Sequence, residues 1–241
     1  TDSFKVRVSD AEGLTDEITV NVNIANVNDP PVFDFSALSQ PIEVLENQVA
    51  VVDLNVTDAD VGDIHTFWLS TSELDGDLFD INATTGVLSF SDPPNYEDNS
   101  SASGNNVFKV EVVVTDNTGE AILVTELIQV EVKNTNDVPV ITSHSGVPPH
   151  PLSIPENQLF VADLNATDED GDSLTYSWGG LDEDLFEVNA SSGVLTFSVP
   201  PDYESNASII KNHLFLVDVN VTDGKGGKSS QSFEITLTDE L

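Results

Sequence analysis

Apolar and polar residues alternate along FKVEVVV (108–114), LIQVEV (127–132), LFLVDVNV (214–221) and FEITLT (233–238). A period of two sends successive side chains to opposite faces of a strand, and the β-branched content suits that geometry. Gly, Asn, Asp and Pro break the runs at short intervals, and no segment sustains helical periodicity. Seven or so short strands in about 105 residues predict an antiparallel β-sandwich with Greek-key connections. TTGVL (84–88) and SSGVL (191–195) place Gly86 and Gly193 at hairpin turns that call for positive φ. Aligning DIHTFWLS (63–70) with DSLTYSWGG (172–180) sorts the aromatics. Phe67, Leu69, Tyr176 and Trp178 are expected to face inward, and Trp68 outward.

The same pattern occurs twice. VLENQVAVVDLNVTDAD (44–60) returns as IPENQLFVADLNATDED (154–170), and GDLFDINATTGVLSFSDPPNYE (76–97) as EDLFEVNASSGVLTFSVPPDYE (183–204). VEVVVTDNTG (110–119) returns as VDVNVTDGKG (217–226), so the offsets run from 107 to 110 residues. Two tandem repeats are expected, at 30–137 and 138–241. Residues 1–29 match the last quarter of a repeat, with Asp10 standing where Asp116 and Asp223 stand. They read as the C-terminal hairpin of a preceding, truncated repeat plus its linker. A lone hairpin cannot bury its apolar face, so it is expected to fray, to be borrowed by a neighbour, or to pack on the first repeat.

Composition narrows the function. With 43 acidic residues against 7 basic ones the formal charge is −36, while 39% hydrophobic residues suffice for packed cores. Nucleic acid and anionic membranes need clustered Lys and Arg, so neither is a fitting partner. Multivalent cations are; the same acidity also suits solubility in a salt-adapted organism. The chain has no cysteine, which removes disulfides and thiolate chemistry. No apolar run is long enough to span a bilayer, so no direct membrane insertion is expected. A start at Thr1 without any methionine reads as a fragment or a processed product.

Acidic residues recur in register at four places per repeat. These are Glu46 and Glu156 after the first strand, Asp58/Asp60 and Asp168/Asp170 as Asp-x-Asp, Glu97 and Glu204 after the double proline, and Asp116 and Asp223 ending VTD. Asn95 and Asp202 precede the third pair by two residues. Asp and Asn favour turns in any β protein, which accounts for their type but less well for the recurrence of the two glutamates. Hard oxygen donors gathered at the poles of a sandwich suit Ca²⁺, which takes six to eight oxygens; Mg²⁺ demands a stricter octahedron.

These residues resemble a known family. Asp-x-Asp, LEN (45–47), PEN (155–157), PDYE (201–204) and Asn-x-Asn-Asp before proline (26–30 and 134–139) are similar to the calcium motifs of cadherin repeats. The nearest resemblance is to the cadherin-like repeats of large bacterial surface and secreted proteins (adhesin-type, RTX-like), and it covers essentially the whole chain. It implies calcium between successive domains. One complete junction would use Glu46, Asn95, Glu97, Asn136 and Asp137 with Asp168, Asp170 and Asp223, Asn136 acting mainly through its carbonyl. Asp29, Asp58, Asp60 and Asp116 would form the receiving half before the first repeat. Glu156, Asp202, Glu204 and Asp239 would form the donating half after the second. Both linkers carry Asn (Asn26, Asn134) where the family has Asp and are one residue short, and Asn95 replaces another Asp. Two ions rather than three are therefore expected at the complete junction, the best supported ringed by Glu46, Glu97, Asp137 and Asp170.

The expected function is that of a calcium-rigidified extracellular stalk or extender of a bacterial adhesin or surface protein, whose partners are neighbouring repeats of the same chain. The alternative is a ligand-binding or homophilic adhesion module for carbohydrate or another cadherin-like chain, with Trp68, Tyr96 and Tyr203 as candidate contacts. Enzymatic function is not expected: His65, His144, His150 and His213 do not recur in register, and GKGGKS (224–229) is a hairpin turn rather than a phosphate loop.

Overall fold

The computed structural model describes residues 2–36, 38–70, 74–116, 122–144, 148–205 and 207–240. Its packing divides into two units, Thr1–Lys133 and Asn134–Leu241.

In the first unit, β1 (Asp2–Ser9) and β2 (Thr15–Val22) form an antiparallel hairpin in which no residue is buried. Seven further strands follow, two of them broken, giving nine segments. These are β3 (Val32–Phe33), β4 (Ile42–Leu45), β5 (Ala50–Asp53), β6 (Val56–Thr57), β7 (His65–Leu69), β8 (Phe79–Ile81), β9 (Val87–Phe90), β10 (Val107–Asp116) and β11 (Leu123–Lys133). One sheet runs β4-β11-β10-β7, another β5-β9-β8, and β3 pairs with β6. The first strand of the sandwich thus starts against β6 and ends parallel to β11.

The second unit repeats this plan. Its strands are β12 (Val140–Ile141), β13 (His150–Pro155), β14 (Phe160–Asp163), β15 (Ala166–Thr167), β16 (Thr175–Gly179), β17 (Phe186–Val188), β18 (Val194–Phe197), β19 (Leu214–Thr222) and β20 (Lys228–Thr238). They pair as β13-β20-β19-β16, β14-β18-β17 and β12-β15. The fold is an all-β, Ig-like sandwich, as the alternation predicts.

Alternation becomes burial directly. Along β19 every second residue is buried, and Val219, Val221, Phe233 and Ile235 are fully enclosed. Val110, Val112 and Val114 do the same on β10; each such side chain contributes about 1.5–3 kcal/mol relative to exposure. Matching phenylalanine triads close the two cores: Phe79, Phe90 and Phe108 with centroids 4.4 and 5.2 Å apart, and Phe186, Phe197 and Phe215 at 4.6 and 5.4 Å. Gly86 and Gly193 adopt φ of 75° and 73°. At Gly86 a Cβ would also lie 2.8 Å from the Leu54 carbonyl oxygen, so both conformation and space exclude a side chain.

One expectation fails. Trp178 sits opposite Val219 in register but remains 41% exposed. β16 ends at Gly179, and the indole N–H finds its acceptor outside the core, donating to the Glu183 carbonyl at 3.1 Å. Trp68 is exposed, as expected.

Candidate metal centres

The receiving pole of the first unit is built from the linker, the loop between β6 and β7, and the end of β10. Asp60 accepts the Asn26 side-chain amide (2.5 Å) on one oxygen and the Asp29 backbone N–H (2.7 Å) on the other. Asp116 accepts the Asn28 amide at 2.9 Å. Asp58 takes the Asp60 N–H at 2.9 Å and lies 3.3 Å from His65 Nε2. Carboxylate oxygens of Asp58, Asp63 and Asp116 fall within 4.8 Å of one another.

The receiving pole of the second unit reproduces these bonds. Asn134 donates its amide to Asp170 (2.8 Å), Asp137 its N–H to the same carboxylate (2.7 Å), and Asn136 its amide to Asp223 (2.7 Å). Asp223 is further held by the N–H groups of Lys225, Gly226 and Gly227 at 2.7, 3.0 and 3.0 Å, an Asx-type turn. Oxygens of Asp168, Asp170 and Asp172 gather within 4.8 Å, and the Lys225 ammonium meets Asp172 at 2.8 Å. The donors leave a clear electrostatic mark. The Asn26 amide and then the Asp29 N–H hold Asp60 below the usual aspartate range. The Asp137 N–H and the Asn134 amide do so for Asp170, and the Asn136 amide leads for Asp223. Lys225 is held above its usual range by the bond to Asp172.

The opposite pole of the second unit is different. Glu156 is 6% exposed and accepts the N–H groups of Tyr203 (3.1 Å) and Glu240 (3.2 Å). Asp202 takes the Glu204 N–H at 3.0 Å, and oxygens of Glu156, Asp202 and Glu204 lie within 4.8 Å of one another. The Glu204 backbone N–H lowers the Glu204 carboxyl, but sharing a hydrogen bond with Asp202, repulsion from Glu156 and burial outweigh it, and the net shift is upward. Asp239 is exposed and stands outside that group. The corresponding pole of the first unit has a fully buried Glu46 that accepts the Tyr96 N–H at 2.8 Å. There Asn95 accepts the Glu97 and Asp98 N–H groups at 2.7 and 3.2 Å, so an Asn serves the turn as well as Asp202 does.

A hard divalent cation fits these donor sets. All the grouped atoms are carboxylate oxygens, and Oδ2 of Asp168 and Oδ2 of Asp172 are buried with no hydrogen-bond partner. Asp63 and Asp172 lie outside the Asp-x-Asp pair and so are not among the expected ligands; their signal is the Asp that recurs in register in DIHTF (63–67) and DSLTY (172–176). Asp75 and Asp182 are not among them either, and their role is structural. Asp182, 1% exposed, accepts the Ile209 and Leu216 N–H groups at 2.7 and 2.8 Å, and Asp75 accepts those of Ala102 and Lys109.

A family model described as a bacterial Ig domain matches residues 136–236. Cadherin-99C of Drosophila melanogaster is 30% identical over 92% of this chain and 12% of its own length. Cadherin-related family member 2 of Mus musculus is 28% identical over 92% of this chain and 18% of its own. The chain therefore spans less than a fifth of either curated relative. Among solved structures, the protocadherin gammaB7 EC3-6 cis-dimer structure aligns with TM-score 0.51 at 19% identity, covering 98% of this chain and 59% of that one. The domains share the cadherin-like, Ig-like sandwich fold.

Proposed function

We propose that this chain is a calcium-rigidified repeat segment, an extracellular extender or stalk of a bacterial adhesin or surface protein, with repeats at 30–137 and 138–241 and Ca²⁺ held where repeats join. The observation that carries the reading is the trio Glu156, Asp202 and Glu204: three carboxylates converge, and Glu204 is pushed upward. A pole with this much uncompensated charge is suited to an external cation. Glu46, Asn95 and Glu97 offer the same pole in the first repeat. Asn136, Asp137, Asp168, Asp170 and Asp223 offer the receiving set, with Asp29, Asp58, Asp60 and Asp116 as its counterpart; Asp172 and Asp63 join them. Asp239 completes the terminal set if a further repeat follows. Bound calcium supplies charge neutralisation and oxygen cross-linking, not catalysis. The donors of this chain orient the carboxylates, and the buried glutamates keep theirs fixed through backbone N–H groups. At extracellular, ~millimolar Ca²⁺ the joints are then stiff, and stalk length scales with repeat number.

Small-angle scattering of residues 1–241 in Ca²⁺ and in EDTA tests this: a larger maximum dimension is expected in Ca²⁺, and an unchanged one rejects the stalk. A second reading, binding of carbohydrate or of another cadherin-like chain, is favoured by Trp178, which lines an open cavity of about 550 Å³ with Glu183, Asp184 and Glu187. Loss of polysaccharide pull-down in Trp178→Ala or Trp68→Ala would favour that reading over the stalk.

A further inference from the structure

The linker asparagines stand where the resemblance leads one to expect a metal-ligating Asp, and at first sight they only weaken a site. Their contacts indicate a different role. In the second unit three donors from a four-residue segment converge on two carboxylates: the Asn134 amide and Asp137 N–H on the two oxygens of Asp170, and the Asn136 amide on Asp223. In the first unit Asn26, Asp29 and Asn28 make the same three bonds to Asp60 and Asp116, each distance within 0.3 Å of its counterpart. Chemistry fixes the direction of these bonds, because an ionised carboxylate only accepts and an amide NH₂ only donates. An Asp at 26 or 134 could make no such bond; it would set a like charge against Asp60 or Asp170 and require a cation between them.

We propose that Asn26 and Asn134, with Asn28 and Asn136, are built-in substitutes for a bridging cation: they dock each linker onto the repeat that follows it without any divalent metal. Calcium dependence then resides in the carboxylates these donors do not serve, Glu46 and Glu97 or Glu156 and Glu204, with Asp168 and Asp172. The linker belongs permanently to its downstream repeat.

The test is amide hydrogen exchange by NMR on the full chain in EDTA and in millimolar Ca²⁺, with wild type, Asn134→Asp and Asn134→Ala. In wild type the Asp137 amide is expected to stay protected in EDTA and to change less than about threefold on adding Ca²⁺. In Asn134→Asp its protection falls about tenfold in EDTA and returns with Ca²⁺; in Asn134→Ala it falls and Ca²⁺ does not restore it. Val217 and Val219 amides in β19 report that both variants stay folded. Free exchange of wild-type Asp137 in EDTA overturns the proposal, as does full protection in both variants. Calorimetric Ca²⁺ titration of the same samples keeps the two ideas apart: no binding rejects the calcium stalk, while a protected Asp137 still supports metal-free docking.

Discussion

The two poles of the second unit meet the same electrostatic problem in opposite ways. At the receiving pole, side-chain amides, backbone N–H groups and one ammonium face Asp170, Asp223 and Asp172, and the first two carboxyls lie below their usual range. At the donating pole, Glu156, Asp202 and Glu204 face each other, and Glu204 lies above its range. The count of acidic groups is alike. Both poles use backbone N–H groups; what differs is that the receiving pole adds side-chain amides and an ammonium, so a cation is expected to gain most at the donating pole.

Mutation and acid titration sharpen this contrast, from the largest expected effect to the smallest. Asp182 sets the scale for a carboxylate fully satisfied by its own chain. Asp182→Ala leaves two backbone N–H groups without their acceptor and is expected to cost about 2–4 kcal/mol, read from chemical denaturation. Glu156→Gln should lower Ca²⁺ affinity at the donating pole about 10- to 100-fold by calorimetry, since a charged ligand is lost there. Asp170→Asn should change it less if its carboxylate is already served by Asn134 and Asp137. Equal losses in the two variants would erase the distinction between the poles.

Acid titration in EDTA separates them by sign. Glu204 has a folded pKa above its unfolded one, so metal-free stability should rise as pH falls through the window just above the ordinary glutamate value of about 4.3. Asp170, Asp223 and Asp60 have depressed folded values, so their contribution is present above about pH 3.9 and is lost as pH falls further, through the folded pKa. Thermal melting against pH should show the rise first and the loss below it, and Glu204→Gln should remove only the rise. The smallest effect is expected of Lys225→Gln, because the ammonium end of its ion pair with Asp172 is largely exposed to solvent. A melting shift as large as that of Asp182→Ala would mean that Lys225 does more than screen charge.

Much of the fold was legible because local rules agree with the tertiary structure. Alternation in 214–221 became alternate burial on β19, as did that in 108–112 on β10 before burial turns continuous from Val112 to Asp116, and the two Gly-Val-Leu turns took the positive φ that their glycines suggest. The carboxylate groups were legible in part: recurrence marked Glu156, Asp202 and Glu204 but missed Asp172, whose place beside Asp168 depends on a turn conformation. Trp178 was misplaced because alternation describes a strand's interior, and this residue stands one position from the strand's end. Asn134 was read as a defective ligand, since a sequence shows residue type but not what the residue faces. Its partner lies 36 positions away.

The grip of Asp75 and Asp182 carries a further consequence. Each ties the long connection after β9 or β18 to the strand that follows it through backbone N–H groups, Ala102 in the connection and Lys109 on β10, or Ile209 in the connection and Leu216 on β19. An anchor that reads the backbone constrains side chains little, and between the same anchors DNSSASGNN (98–106) and SNASIIKNH (205–213) share a residue at only three of nine positions. Their exposed positions, as distinct from the buried Ser101, Asn106 and Ser208, are where new surface chemistry can be grafted onto the repeat, by evolution or by design.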